Sequence, residues 1–155
     1  MNRLSFLAYS AMFGVALVPS SVLAQQQGTT LRQQLIGTWE IVSTSPENRP
    51  GAQILGTNPK GVFMLGGSGK YAVTFENRNR PMAAERSADG FVANFGTWSV
   101  NEADKTLAMH VEGSLTPSIE GTDGKRTISL NGDELKVTNP ETKITIVYRR
   151  VRASN

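Results

Sequence analysis

Short runs with apolar residues at alternate positions fill the chain from residue 35 onward, and this pattern constrains the fold more than any other feature. A period of two is typical of β-strands, because successive side chains on a strand point to opposite faces. Clusters of Gly, Pro, Asn and Asp separate the runs, and Asn131-Gly132 is the strongest turn signal among them. The pattern predicts eight strands, over residues 35–43, 61–65, 70–75, 95–100, 106–112, 125–130, 134–138 and 143–151.

The connections between these strands favour an antiparallel arrangement, because a parallel sheet needs repeated strand–helix alternation. Helix is predicted only as one turn over 31–34, capped by Thr29 or Thr30, and over 82–88 between Pro81 and Gly90. The predicted fold class is therefore all-β: a single eight-stranded antiparallel up-and-down barrel with one or two short helices. A two-sheet sandwich is the alternative, and closure is preferred because it removes exposed sheet edges.

The N-terminus has the three parts of a secretory signal peptide. Arg3 supplies the positive charge, residues 4–18 are mostly apolar, and Val22 and Ala24 are the small residues that a signal peptidase reads. A transmembrane anchor is the alternative, but the apolar run is shorter than the roughly 20 residues that span a bilayer. We expect cleavage after Ala24 and a secreted or periplasmic protein, with residues 1–24 as signal, 25–34 as a polar tether with the helical turn, and 35–151 as the barrel domain.

Charge and cysteine content narrow the classes of partner. The chain has no cysteine, so it lacks the residue that carries a lipoprotein's lipid and must fold without disulfides. The formal charge is +3, and the one dense basic cluster is Arg149, Arg150 and Arg152. A nucleic-acid-binding face is usually broader and interleaved with aromatic residues. The sequence therefore predicts no nucleic-acid partner and no stable membrane anchor.

An ordered series of motifs resembles the bacterial and fungal lipocalin-like domain family, over about residues 35–150. The series opens with Gly37-Thr38-Trp39, which is similar to the Gly-x-Trp signature of lipocalins. It continues with a long Gly- and Pro-containing loop to Pro59, and then with Gly69-Lys70-Tyr71, Gly96-Thr97-Trp98, His110, Pro117, Gly121, Arg126 and Leu135.

The resemblance implies a barrel that carries a small hydrophobic molecule, and it implies structural roles for three residues. In lipocalins an arginine of the last strand stacks on the signature tryptophan, which assigns Gly37, Trp39 and Arg150 to the barrel framework. Arg150 alternates in step with Ile146 and Tyr148, as that role requires. Secreted animal lipocalins usually carry a disulfide, which this chain lacks, so their ligands and receptors are not inferred for it.

Strand alternation also predicts which side chains line the barrel interior. The expected ligand-binding residues are Tyr71, Phe75, Trp98, Met109, Arg126 and Tyr148, with Val73 and Ile128 beside them. Arg126 falls on the same side of its strand as Ile128, where a charged group needs a hydrogen-bonding or oppositely charged partner. Two interpretations remain open: Arg126 binds a ligand carboxylate through its planar fork, or it pairs with Glu112 or Glu120.

The sequence gives little support to catalysis. His110 alternates opposite to its apolar neighbours, which favours a surface position; the other interpretation is an acid–base group oriented by Glu112 or Glu120. The glycine run at 66–69 lacks the phosphate-loop spacing, and no metal-ligand set or nucleophile motif is apparent. We expect a carrier of a small, largely apolar ligand without cofactor or metal. The alternatives are an isomerase- or cyclase-type barrel enzyme acting on a similar molecule, and a filled barrel that acts through its surface.

Overall fold

Eight antiparallel strands close into a barrel in sequence order, so the predicted fold class is confirmed. The computed structural model describes residues 29–48, 50–79 and 90–152. The strands are β1 (Gly37–Ser45), β2 (Pro59–Leu65), β3 (Lys70–Asn77), β4 (Phe91–Asn101), β5 (Thr106–Ser114), β6 (Asp123–Asn131), β7 (Glu134–Thr138) and β8 (Thr145–Arg150), with helices α1 (Leu31–Leu35) and α2 (Pro50–Leu55) and a 3-10 turn at Pro117–Ile119.

Pairing of the first and last strands closes the barrel. Trp39 lies opposite Phe63 of β2 on one side and opposite Arg150 of β8 on the other. The register shifts within β1 between Ile41 and Ser43, a β-bulge of the kind that bends a strand. We call the end where β1 begins and β8 finishes the closed end, and the opposite end, where β1 finishes and β8 begins, the open end.

Helix α1 lies where the sequence predicts a helical turn, but it includes one residue assigned to the first strand. The Thr30 side chain accepts from the Gln33 backbone N–H, and Gln33 reaches back to the Thr30 N–H, which forms a capping box. Leu35 completes the helix and is fully buried, and β1 begins only at Gly37. Alternation could not show whether residue 35 ends the helix or begins the strand, because an apolar residue there fits the inner face of either element.

The largest further differences from the sequence prediction are in α2 and β4, while the other strand ends lie within two residues of their predicted positions. The segment expected to be an irregular loop contains α2, which starts at Pro50 and stops before Gly56, whose φ is +68°. Strand β4 begins at Phe91, four residues earlier than expected, since its first residues are only partly buried and show no alternation. The helix predicted over 82–88 lies outside the described residues. Among the residues that are described, no helix is long and apolar enough to cross a membrane.

The hydrophobic core fills the closed half of the barrel. Its largest fully buried side chains come from α1 and from strands β1, β2, β5 and β7: Leu35, Trp39, Leu65, Leu107 and Leu135, each less than 2% exposed. Helix α1 packs across this end, so the interior there has no room for a guest. Any space inside the barrel is therefore confined to the open half.

Candidate ligand-binding site

A cavity of about 460 Å³ occupies the open half of the barrel. Strands β2, β3, β4, β5, β6, β7 and β8 contribute to its wall, and Leu55 of α2 and Ile119 of the 3-10 turn reach it from the connecting loops. Most of the lining is apolar or aromatic: Leu55, Phe63, Tyr71, Val73, Phe75, Val92, Met109, Val111, Ile119, Val137, Ile144, Ile146 and Tyr148. The volume lies within the range of about 300–1,000 Å³ that small-molecule sites usually have.

Aromatic packing fixes one wall of this cavity. The Tyr148 ring lies with its centroid 5.5 Å from that of Phe63 and 5.9 Å from that of Phe75. Tyr71 meets Phe63 edge to face at 6.3 Å. Rings at these separations attract one another beyond their buried area. The wall is thus a rigid apolar surface from which the two phenol hydroxyl groups project.

The two hydroxyl groups differ in their hydrogen bonds. The Tyr71 hydroxyl donates to Asn94 Oδ1 at 3.0 Å. The Tyr148 hydroxyl has no hydrogen-bond partner among the described residues, although Tyr148 is only 3% exposed and lines the cavity. Burial raises the pKa of both phenols, and the positive charge of Arg126 acts against that rise at each of them.

Arg126 lies in the cavity wall on β6 without a counter-charge in contact. Its Nη1 donates to the backbone carbonyl of Lys125 at 2.8 Å, and within the described part of the chain no carboxylate lies within 4.0 Å of the guanidinium. Burial lowers the pKa of Arg126, and the charge of Glu141 on the cavity rim opposes that shift.

The two carboxylates considered as partners for Arg126 are engaged elsewhere. Glu112 binds the Lys70 ammonium group, with Nζ 2.6 and 2.8 Å from its two oxygens. Glu120 accepts from the backbone N–H of Ser114 at 3.1 Å. Of the two interpretations of Arg126, the internal ion pair is therefore not observed, and the ligand-anchor interpretation stays a prediction.

Sequence alternation did not single out Gly124 or the residues of the rim. A Cβ atom at Gly124 would lie 3.2 Å from Nη1 of Arg126, so the absence of a side chain at this position makes room for the guanidinium. Asn139, Glu141 and Thr142 border the cavity from the loop between β7 and β8. Loop residues have no alternation that could indicate which of them face inward, and Gly124 itself lies outside the strand predicted over 125–130.

Trp98 does not line the cavity, although the sequence grouped it with the ligand-binding residues. It is buried at the closed end, where its Nε1 donates to the Gly66 carbonyl at 3.0 Å and the Arg32 guanidinium lies 4.5 Å from its ring centroid. The inward direction was inferred from alternation, which gives the side of the sheet but not the depth along the barrel. Ile128 likewise belongs to the packed core and does not reach the cavity.

The residues assigned to the framework lie together at the closed end. The Trp39 Nε1 donates to the Leu35 carbonyl at 2.9 Å, and the Arg150 guanidinium covers the Trp39 ring. Gly37 has a φ of +142°, and a Cβ there would lie 3.0 Å from Nη1 of Arg150. None of the three borders the cavity.

His110 lies on the outer face of β5 and faces solvent, with its side chain 45% exposed. Its Nδ1 lies 2.8 Å from Oδ1 of Asp123, whose side chain is also exposed. The neighbours Met109 and Val111 border the cavity, so His110 points to the opposite side of β5. Within residues 29–48, 50–79 and 90–152, no cluster of three or more His, Asp or Glu side chains could hold a metal ion.

The family follows from a comparison of the sequence with known domains. Residues 36–148, from the end of α1 to the middle of β8, match the sequence model of a family described as the lipocalin-like domain. The chain belongs to the lipocalin-like domain family. The family match includes every residue that lines the cavity of this lipocalin-like protein. No curated protein matches it in sequence.

Solved structures similar to this lipocalin-like protein have low sequence identity to it. One is a DUF4847 family protein from Bacteroides vulgatus, with 12% identity and a TM-score of 0.41, covering 77% of this chain and 96% of the other. Another is described as the REP1-NXSQ fatty acid transporter, with 10% identity and a TM-score of 0.40, covering 78% of this chain and 98% of the other.

Proposed function

We propose that this lipocalin-like protein is exported and binds one small, largely apolar molecule in the open half of its barrel. The observation that carries the proposal is the cavity of about 460 Å³, which has an apolar, mostly aromatic and aliphatic wall and opens at the barrel mouth. Apolar surface of this kind gains free energy when a ligand removes it from water, by about 25 cal/mol per Å². A completely filled barrel would have no such surface to offer.

Binding is favoured over catalysis by the direction of the one histidine. An acid–base group has to come within hydrogen-bond distance of the reacting atoms. His110 is exposed, bonded to Asp123, and on the side of β5 that faces away from the cavity. This arrangement supports a carrier over an isomerase or cyclase.

The export half of the proposal rests on the N-terminal sequence. Residues 1–28 lie outside the described part of the structure, so the signal pattern ending at Ala24 is its support. We expect the exported protein to begin at Gln25. N-terminal sequencing of material recovered from the periplasm or the medium tests this, and a protein there that retains residues 1–24 would contradict cleavage.

The binding half is tested with N-phenyl-1-naphthylamine, a neutral apolar dye that fluoresces when it leaves water. We expect one dye molecule to bind per protein, and Val92→Phe to weaken binding at least severalfold by filling part of the cavity next to the mouth. Val42→Phe is the matched control, since Val42 is exposed on the outer face of β1. Equal effects of both variants, or no dye binding, would refute an internal site. Native mass spectrometry of protein purified from its own source then identifies the natural guest.

A further inference from the structure

We propose that the guest is an amphipathic monoanion whose carboxylate is bound by the Arg126 guanidinium, the Tyr148 hydroxyl and the Asn94 side-chain amide. This inference rests on the proposed binding function and names the chemical class of the ligand. It depends on three polar groups that border the same cavity and offer hydrogen-bond donors to it.

Arg126 is the first of these groups. A guanidinium has five N–H donors, and in this structure a single neutral carbonyl, that of Lys125, accepts from it. Withdrawing a cation from water without an opposite charge is costly, and an anion at hydrogen-bond distance offsets that cost. A carboxylate matches the planar fork with two parallel hydrogen bonds.

Tyr148 provides a second, independent observation. Its hydroxyl is unpartnered within the described part of the chain, and the residue is almost completely buried. Because Tyr148 borders the cavity, its hydroxyl is free to donate to a ligand there. The charge of Arg126 acts on this hydroxyl, which indicates that both groups serve one region of the cavity.

Asn94 is the third donor group, and its hydrogen bond with Tyr71 sets the orientation of its side-chain amide. The Tyr71 hydroxyl occupies Oδ1 of Asn94 at 3.0 Å, which turns the amide so that its NH₂ group has no partner among the described residues. Asn94 also borders the cavity. Arg126, Tyr148 and the Asn94 amide therefore each offer a donor to the cavity, and a head group that accepts hydrogen bonds can use all three.

The distribution of polarity limits the head group to one negative charge. Two cations border the cavity, the half-buried Arg126 and the exposed Lys125, and two carboxylates border it as well, those of Asp123 and Glu141. The charge of Glu141 acts on Arg126. A second negative charge on the ligand would not meet a net positive lining, because the two carboxylates balance the two cations. The aromatic wall around the Tyr148 ring, with Phe63 and Phe75, and Ile146 beside it on β8 face the apolar body of the ligand.

The test compares three ligands that share one alkyl chain and differ in the charge of the head group. Decanoate, decanol and decyltrimethylammonium each compete against N-phenyl-1-naphthylamine for the wild-type protein at neutral pH. We expect decanoate to displace the dye at a concentration at least tenfold lower than decanol, and decyltrimethylammonium to be the weakest. Equal displacement by decanoate and decanol would overturn the anion proposal.

Variants locate the effect. Arg126→Met should weaken decanoate binding by about tenfold to a hundredfold, the loss expected for a charge-assisted hydrogen bond, and leave decanol almost unchanged. Arg149→Met removes the same charge from an exposed position at the closed end and should change neither ligand. Tyr148→Phe keeps the ring and should weaken decanoate binding by roughly two- to tenfold. A decanoate affinity unaffected by Arg126→Met would refute the assignment.

The two proposals fail in different ways. If the dye does not bind the wild-type protein, the binding function itself is wrong. If the dye binds and is displaced equally well by all three ligands, the cavity holds apolar guests and the carboxylate site is wrong. Thermal unfolding of each variant, compared with that of the wild type, shows whether a loss of affinity comes from misfolding.

Discussion

The guanidinium carbon of Arg150 lies 4.1 Å from the centroid of the Trp39 ring, and this stacked pair closes one end of the barrel. The same guanidinium donates to the backbone carbonyls of Ile36, at 3.1 Å, and of Gln34. It therefore joins the last strand to the first strand and to helix α1. A cation over an aromatic ring contributes roughly 0.5–2 kcal/mol, and the two carbonyl bonds add to that.

Trp39→Ala should lower the free energy of unfolding by about 3–5 kcal/mol, the usual cost of truncating a large buried aromatic residue. Trp39 is fully buried, and the substitution also leaves the Arg150 guanidinium without its ring. Urea unfolding measures the change. Binding of the dye at temperatures where the variant is folded should be preserved, because Trp39 does not border the cavity. A variant of wild-type stability that had lost only its ligand would contradict the framework role.

His110→Ala should change decanoate affinity by less than about 0.5 kcal/mol, as for an ordinary surface substitution. The reason is the outward direction of the side chain and its solvent-exposed contact with Asp123. Arg126→Met should cost roughly 1.5–3 kcal/mol in the same titration. Calorimetry of both variants compares them. The reverse ranking, together with turnover of a ligand that disappears with His110, would favour the enzyme.

Glu141→Gln should strengthen decanoate binding by a few-fold. The substitution removes a negative charge that borders the cavity and acts on Arg126, and it keeps the size of the side chain. Glu40→Gln, at an exposed position on β1, removes the same charge away from the cavity and is the control. The difference should shrink at high salt, since exposed charges are screened within about 10 Å at 0.1 M ionic strength. Equal effects of the two variants would remove Glu141 from the site.

Tyr71 and Tyr148 are the only tyrosines expected after cleavage at Ala24, so phenolate absorbance reports on the cavity wall. Burial raises the pKa of both groups above the ordinary value of 10.0. Above that pH the unfolded chain loses protons that the folded protein keeps, so stability falls as pH rises. We expect no Tyr148 phenolate signal until the protein unfolds in alkali. Ionisation of two tyrosines near pH 10 in the folded protein would show that the wall is open to water.

Much of the framework followed from local sequence. Alternation gave the number and order of the strands, because a side chain's face on a strand depends only on its position along the chain. The capping box at Thr30 and the turn at Asn131-Gly132 depend on neighbouring residues alone. The sequence prediction missed helix α2 because it is one short segment among glycines and prolines, where the local signals for a loop and for a helix overlap.

The sequence by itself predicted eight antiparallel strands, with a closed barrel preferred over a sandwich, and placed Arg126 on the inward side of its strand. The resemblance to lipocalin-like domains assigned Trp39 and Arg150 to the framework. Only the tertiary structure decided how far along the barrel axis each inward-facing side chain lies. Trp98 and Tyr148 are both inward-facing aromatic residues, yet Trp98 packs at the closed end and Tyr148 borders the cavity. Strand tilt, register and the position of α1 set that difference, and all three arise from contacts between residues far apart in sequence. The same contacts leave Arg126 without a carboxylate and Tyr148 without an acceptor, which no alternation pattern encodes.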